Sequence, residues 1–174
     1  MRRSVWIWEL FGFALISLLG TVLHFLYDWL GGALWIAPFS GVNESTFEHM
    51  KLFFWPAFIY AIFQSLFFRK YKGFWCVKIR SILLGLALIP VLFYTYNGAI
   101  GKSPDFINVA IFFIAAAIAY VYESRLFKGE KISSGSQGLC LFILIFVAAA
   151  FVIFTFYPPH LALFKDPISG RYGI

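Results

Sequence analysis

Charged residues are scarce in this 174-residue chain: they make up 13% of it, whereas about 25% is usual in soluble domains. Cysteine is also scarce, and Cys76 and Cys140 show no CxxC spacing, so we interpret both as packing residues and exclude a disulfide scaffold. Most of the chain is apolar, with 61% hydrophobic and 22% aromatic residues. These proportions exclude a water-soluble domain and are typical of a protein that crosses a membrane several times.

Five apolar segments are long enough to cross a bilayer. A helix needs about 20 apolar residues to cross about 30 Å of hydrocarbon, and the backbone must be helical because lipid offers no hydrogen-bond partners. The predicted spans are residues 5–30, 45–68, 81–101, 106–122 and 138–157. No repeat divides the chain, so we expect a single integral membrane domain over residues 1–174. The predicted fold class is all-α, a polytopic transmembrane bundle of five helices.

Two apolar stretches outside these spans are too short, or too interrupted by glycine and proline, to cross the membrane. Residues 31–42 read GGALWIAPFSGV, a composition that favours a re-entrant or interfacial loop on the outer side. The C-terminal residues 158–174 begin with two prolines and remain largely apolar. We expect this tail to fold back over the outer end of the helix bundle.

Lysine and arginine in the short loops predict the orientation, because these residues are retained on the cytoplasmic side. Ten lie on one side of the predicted bundle: Arg2, Arg3, Arg69, Lys70, Lys72, Lys78, Arg80, Arg125, Lys128 and Lys131. The other side has four: Lys51, Lys102, Lys165 and Arg171. We therefore predict a cytoplasmic (inner) membrane protein with its N-terminus in the cytoplasm and its C-terminus outside. Lipid headgroups explain the net charge of +6, and we expect no nucleic-acid partner.

All three histidines fall at the predicted outer ends of their segments, near several carboxylates. Ionisable residues at membrane depth are costly and usually face a bundle interior or a water-filled cavity. His24 and Asp28 are four residues apart, which places them on one face of the first helix. Asp28 would then fix the tautomer of His24 and leave its other ring nitrogen free. A buried hydrogen bond between helices explains the same pair without any ligand.

The second polar group is the sequence NESTFEHMK at residues 43–51. Ser45 and Glu48 have the spacing of a capping box, which explains both without a function. Lys51 is placed to neutralise Glu48 at spacing i, i+3. The capping box does not explain His49 or Lys51, which continue the polar run into the predicted span.

We predict that these residues form one outward-facing polar pocket for a small molecule or a lipid. The ligand-binding candidates are His24, Asp28, Asn43, Glu44, Glu48, His49, Lys51 and His160. Three histidines, or two with a carboxylate, are a ligand set for zinc that leaves a position open to water. The metal candidates are His24, His49, His160 and Glu48. Three histidines at three helix ends are also explained as ordinary interfacial residues.

Binding or transport is the leading functional hypothesis, and two others remain open. The first is a membrane-embedded enzyme acting on a lipid-like substrate, with His24, Glu48 and His49 as catalytic candidates. The second is an assembly partner of a membrane complex. The sequence has no phosphate-binding loop and no HExxH signature that would favour a particular reaction.

Three motifs carry a family resemblance: HxxxD at residues 24–28, NESTxEHxK at 43–51 and PPHxxLFxDPxxGxYG at 158–173. Together they resemble an uncharacterised family of small bacterial multi-pass membrane proteins, a resemblance that implies no activity. The chain also has a fainter likeness to the emopamil-binding group of sterol isomerases and ligand-binding proteins. That likeness implies a cavity between helices lined by His24, Asp28, Glu44 and Glu48.

Overall fold

Five α-helices make up most of the computed structural model, which describes residues 2–101, 104–129 and 136–174. They are α1 (Arg2–Trp29), α2 (Thr46–Ser65), α3 (Phe74–Ala99), α4 (Asp105–Lys128) and α5 (Gln137–Phe156), followed by a 3-10 helix, Ala162–Phe164. Four of the five, α1, α3, α4 and α5, are long and apolar enough to cross a membrane. The predicted all-α bundle of five helices is confirmed.

α2 lies in the middle of the bundle. α1, α4, α3 and α5 contact one another in that order, and α2 packs against all four. Of its 20 residues, 13 are buried, including the charged residues Glu48 and Lys51. Because its neighbours shield it from the surroundings, α2 can carry charged residues although it is not among the helices apolar enough to cross a membrane by themselves.

Close helix contacts depend on small residues in the core. Ala115, Ala116 and Ala119 of α4 are fully buried, as expected where helices approach closely. Gly85 of α3 lies directly beneath the ring of Phe53, and a Cβ at this position would be 2.3 Å from Cζ of that ring. Gly85 therefore lets α2 and α3 pack with an aromatic ring between them.

Two helices extend beyond the spans predicted from hydropathy. α3 begins at Phe74, and α4 continues to Lys128, so that Lys78 and Glu123 lie inside helices. Both side chains are buried and form an ion pair. The prediction ended each span at the first charged residues, but opposite charges on neighbouring helices neutralise each other inside the bundle. Lys102 and Lys131, which entered the orientation argument, lie outside the described residues.

The interpretation of the two cysteines as packing residues is wrong, because Cys76 and Cys140 form a disulfide. It joins the first turns of α3 and α5, at what we call the basic end of the bundle, where α1, α3 and α5 begin. The backbone N–H of Trp75 donates to Oε1 of Gln137 at 2.8 Å and strengthens the same junction. A separation of 64 residues gave no local sequence signal for this pairing.

The opposite end, where α2 and α4 begin, is called the histidine end. The loop after α1 and the C-terminal tail both fold over it, as predicted. Nε1 of Trp55 donates to the carbonyl of Pro38 at 2.7 Å and holds the loop. In the tail, the ring of Phe164 packs 4.6 Å from that of Phe47, measured between ring centroids. These contacts place loop and tail around the polar residues of this end.

Candidate functional site

His49 lies in the first turn of α2, with one ring nitrogen already occupied. Ser45 is the N-cap of this helix, and its side chain accepts the N–H of Glu48. Nδ1 of His49 lies 3.0 Å from the carbonyl oxygen of Ser45. Because a carbonyl only accepts hydrogen bonds, Nδ1 carries the proton and Nε2 presents a lone pair.

Glu44 lies between the rings of His24 and His49. One of its carboxylate oxygens is 3.6 Å from Nε2 of His24, and the other is 3.6 Å from Nε2 of His49. Each separation is longer than a hydrogen bond. The ligand atoms of the three residues all lie within 4.8 Å of one another. Two imidazole nitrogens and a carboxylate therefore converge on one small volume with no direct hydrogen bond between them.

The loop after α1 fixes the backbone next to His24. Oγ of Ser40 accepts the N–H of Tyr27 at 2.9 Å and donates to the carbonyl of Leu23. The N–H of Gly41 donates to the same carbonyl at 3.1 Å. The loop thus enters the hydrogen-bond ladder of α1 in the turn that carries His24, and it places Glu44 beside that ring.

A cleft of about 540 Å³ opens beside the three residues. It lies between α1, α2, α3 and α4, and the tail forms one of its walls. The wall next to the histidines is polar, and most of the remaining surface is apolar. The lining residues are His24, Glu44, Thr46, His49, Ile89, Phe93, Asn97, Asn108, Val109, Ile111, Phe112, Pro167 and Ile168.

A turn centred on Asp166 holds the tail against the cleft. Its carboxylate accepts the N–H groups of Ile168 at 3.0 Å and Ser169 at 3.1 Å, and the hydroxyl of Ser169 at 2.5 Å. Burial acts to raise the pKa of Asp166, but these hydrogen bonds and the N–H of Glu44 outweigh it, so the pKa lies below its usual 3.8. The ionised carboxylate therefore links the tail to Glu44.

Glu48 and Lys51 lie outside the cleft. Oε2 of Glu48 is 2.6 Å from Nζ of Lys51 and accepts the N–H of Val42 at 3.0 Å. The same Nζ donates to the carbonyl of Ala37 at 2.7 Å and to Oγ1 of Thr155 at 3.1 Å. All three ammonium protons have partners, which joins α2 to α5 and to the loop. The predicted Glu48–Lys51 pairing is confirmed, and it leaves neither residue facing the cleft.

Three other predicted site residues are also separate from the histidine–glutamate cluster. Asp28 is exposed, and His24 contacts Glu44 of the loop instead. Nδ2 of Asn43 donates to the carbonyl of Gly173 at 2.9 Å, so this residue ties the loop to the tail. His160 is exposed, with its ring 4.6 Å from that of Tyr172 between centroids. Helical spacing suggested Asp28 as the partner of His24, but the loop supplies a closer carboxylate.

A second polar cluster lies near the basic end, and the sequence interpretation did not place Lys78 or Glu123 in it. Oε1 of Glu9 accepts Nε2 of Gln64 at 3.0 Å, and Lys78 pairs with Glu123 beside them. All four side chains are 0–1% exposed. Nζ of Lys78 also lies 5.1 Å from the ring centroid of Tyr60, a cation–π distance. The available signal in the sequence was the position of Lys78 and Glu123, which carry opposite charges next to two predicted spans.

Asn97 and Asn108 were also missed, although both line the cleft.

The family comparison covers nearly the whole chain, matching residues 2–174 to a family of unknown function, DUF6512. The chain belongs to the DUF6512 family. Among curated proteins and among solved structures, none matches the chain. Membership therefore supports the predicted uncharacterised family and brings no activity with it.

Proposed function

We propose that this DUF6512 protein binds a membrane lipid, or a similar amphipathic small molecule, in the cleft at the histidine end. The observation that carries the proposal is the division of the cleft into a polar wall and an apolar wall. His24, Glu44 and His49 form the polar wall, while Ile89 and Phe112 belong to the apolar one. A volume of about 540 Å³ lies within the range of roughly 300–1,000 Å³ typical of ligand pockets.

A side cavity supports a lipid rather than a fully polar ligand. It measures about 180 Å³, and it shares His24, His49, Val109 and Phe112 with the main cleft. It continues past Gly20, Thr21 and Phe25, at the surface between α1 and α4. Because Thr21, Phe25 and Val109 are exposed there, an apolar chain has a lateral path from the surrounding lipid to the cleft.

Gly20 allows the helices to enclose the side cavity. A Cβ at this position would lie 2.7 Å from Cζ of Phe112 and 3.1 Å from the carbonyl oxygen of Leu52. The glycine therefore brings α1 close to α2 and α4 at the inner wall of the cavity. Thr21, the next residue, stands at its entrance, where a larger side chain would fill the space.

The test is retention of a lipid by the purified protein. Palmitoyl-lysophosphatidylcholine is added in maltoside detergent, and native mass spectrometry counts the bound molecules. We expect one molecule on the wild type and its loss in Thr21→Trp, which blocks the side cavity. Leu18→Trp is the matched control, because Leu18 is an exposed residue of the same helix that lines neither cavity. Equal retention by both variants, or no retention by the wild type, would contradict the proposal.

We also propose the membrane orientation. The protein is placed in the cytoplasmic membrane with the basic end inside, the histidine end outside and α2 as a fifth crossing segment. The excess of lysine and arginine at the basic end supports this orientation. Alkaline phosphatase fused after Ile174 should be active, since that enzyme requires export, and green fluorescent protein fused there should be dark. If green fluorescent protein at the C-terminus were fluorescent, the proposed orientation would be wrong, and the histidine end would face the cytoplasm.

A further inference from the structure

We propose that His24, Glu44 and His49 bind a divalent transition-metal ion, with zinc the best match. The inference goes beyond lipid binding, because it depends on three side chains and holds whether or not a lipid occupies the cleft. Sequence reasoning selected the two histidines but paired them with His160 and Glu48. The geometry replaces both of those residues with Glu44, whose ligand atoms lie within 4.8 Å of the histidine nitrogens.

The spacing of the three groups suits a shared ion better than a hydrogen bond. In a tetrahedral zinc site with ligand bonds of about 2.0–2.2 Å, neighbouring ligand atoms are about 3.3–3.6 Å apart. Oε1 of Glu44 lies 3.6 Å from Nε2 of His24, and Oε2 of the same carboxylate lies 3.6 Å from Nε2 of His49. A direct hydrogen bond would instead draw these atoms to about 2.7–3.0 Å. The two equal gaps therefore leave the position between the groups open to a cation.

His49 is already oriented as a metal ligand. Metal-binding histidines usually donate their second ring N–H to a carbonyl or carboxylate, which fixes the tautomer and the ring plane. Nδ1 of His49 makes this bond to the carbonyl of Ser45, and Nε2 therefore faces Glu44 with its lone pair. Glu44 is held through its backbone N–H, which donates to Asp166. Two of the three ligands thus have a supporting contact that does not involve the metal.

The ligand set selects the class of ion. Two imidazoles with one carboxylate favour zinc and similar transition metals, whereas magnesium and calcium prefer oxygen ligands alone. The three side chains are between 21% and 42% exposed, so an ion can reach them from the cleft. Three protein ligands leave a further coordination position toward that cleft, the arrangement found in zinc sites that also bind water or a ligand.

Zinc binding to the purified protein tests the inference. The protein carries a tag without histidine, is stripped with a chelator, and is dialysed against zinc in detergent before metal analysis. We expect one zinc per chain, with a loss in affinity of more than about tenfold in His24→Gln, Glu44→Gln and His49→Gln. His160→Gln is the matched control, since it removes an exposed histidine and should bind like the wild type. Magnesium should not compete.

Cobalt gives a second readout, because its visible absorption reports the coordination geometry of the bound ion. Cobalt bound by two nitrogens and an oxygen in a tetrahedral site produces visible absorption, which should be absent in Glu44→Gln and retained in His160→Gln. Circular dichroism shows whether each variant is folded. If folded wild type binds no zinc, or if the three variants bind as the wild type does, the site is overturned. Lipid retention is measured separately on metal-free protein, so that failure of one proposal is distinguished from failure of the other.

Discussion

The two clusters of polar residues in this bundle differ in burial and in how directly their side chains contact one another. Near the basic end, Glu9, Lys78 and Glu123 are almost completely buried, and their polar groups contact one another directly. At the histidine end, His24 and Glu44 stand 3.6 Å apart beside an open cleft. In the first cluster, Lys78 neutralises Glu123 and fastens α3 to α4, while Glu9 accepts from Gln64 and joins α1 to α2. In the second cluster the histidine nitrogens and the Glu44 carboxylate make no direct hydrogen bond to one another, as the proposed metal site requires.

Among the changes that test this comparison, removal of the Lys78–Glu123 ion pair should have the largest effect on the free energy of unfolding. Lys78→Met leaves Glu123 buried without its cation, which should cost about 3–5 kcal/mol. Unfolding of the detergent-solubilised protein, followed by far-UV circular dichroism, measures the loss. The double variant Lys78→Met with Glu123→Leu should recover most of it, because an apolar pair needs no counter-charge. A loss below about 1 kcal/mol in the single variant would show that this cluster is not structural.

The tail turn should respond to acid. Because the pKa of Asp166 is lowered in the folded protein, its stabilising effect is complete above the usual value of 3.8 and is lost as the pH falls through the lower folded value. Hydrogen exchange of residues 164–174, corrected for intrinsic rates, should therefore lose protection in that acidic range. Asp166→Asn should weaken the turn by about 1 kcal/mol at neutral pH and remove the pH dependence. Identical profiles for wild type and variant would contradict the assigned role.

Removing a histidine from the open cluster should have a small effect on metal-free protein. His49→Gln loses one hydrogen bond to the carbonyl of Ser45, worth about 1 kcal/mol. The same unfolding assay should show this small change without zinc and a larger difference from the wild type with zinc, because a bound ion stabilises the folded state. A large loss without metal would make this cluster structural, like the one near the basic end.

Asp28 provides the smallest expected effect. It is exposed and His24 contacts Glu44, so Asp28→Asn should change stability by less than about 0.5 kcal/mol and leave zinc binding unchanged. Thermal unfolding and dialysis against zinc measure the two quantities. A change in zinc affinity of tenfold or more would support the His24–Asp28 pairing expected from helical spacing. Residues that hydrogen-bond to a metal ligand have effects of about this size.

Hydropathy predicted the five helices well because apolar segments must be helical where no water satisfies the backbone. The same reasoning misplaced Lys78 and Glu123, since an ion pair between distant segments leaves no local pattern. At the histidine end, spacing along one helix suggested Asp28, whereas the partner of His24 is Glu44 of a loop. Residues that meet through tertiary folding were thus the ones that periodicity alone did not identify.

The disulfide between Cys76 and Cys140 has a consequence for the compartments on either side of the membrane. It lies at the basic end, which the proposed orientation places in the cytoplasm, where thiols are normally kept reduced. With that orientation, the structure with the disulfide is the oxidised form of the protein. In the cell, Cys76 and Cys140 would then be two free thiols. The hydrogen bond from the N–H of Trp75 to Gln137 and the contact of Nε2 of Gln137 with Sγ of Cys76 would still join the first turns of α3 and α5. A reductant that cannot cross the membrane would report, from either face, which compartment the basic end occupies.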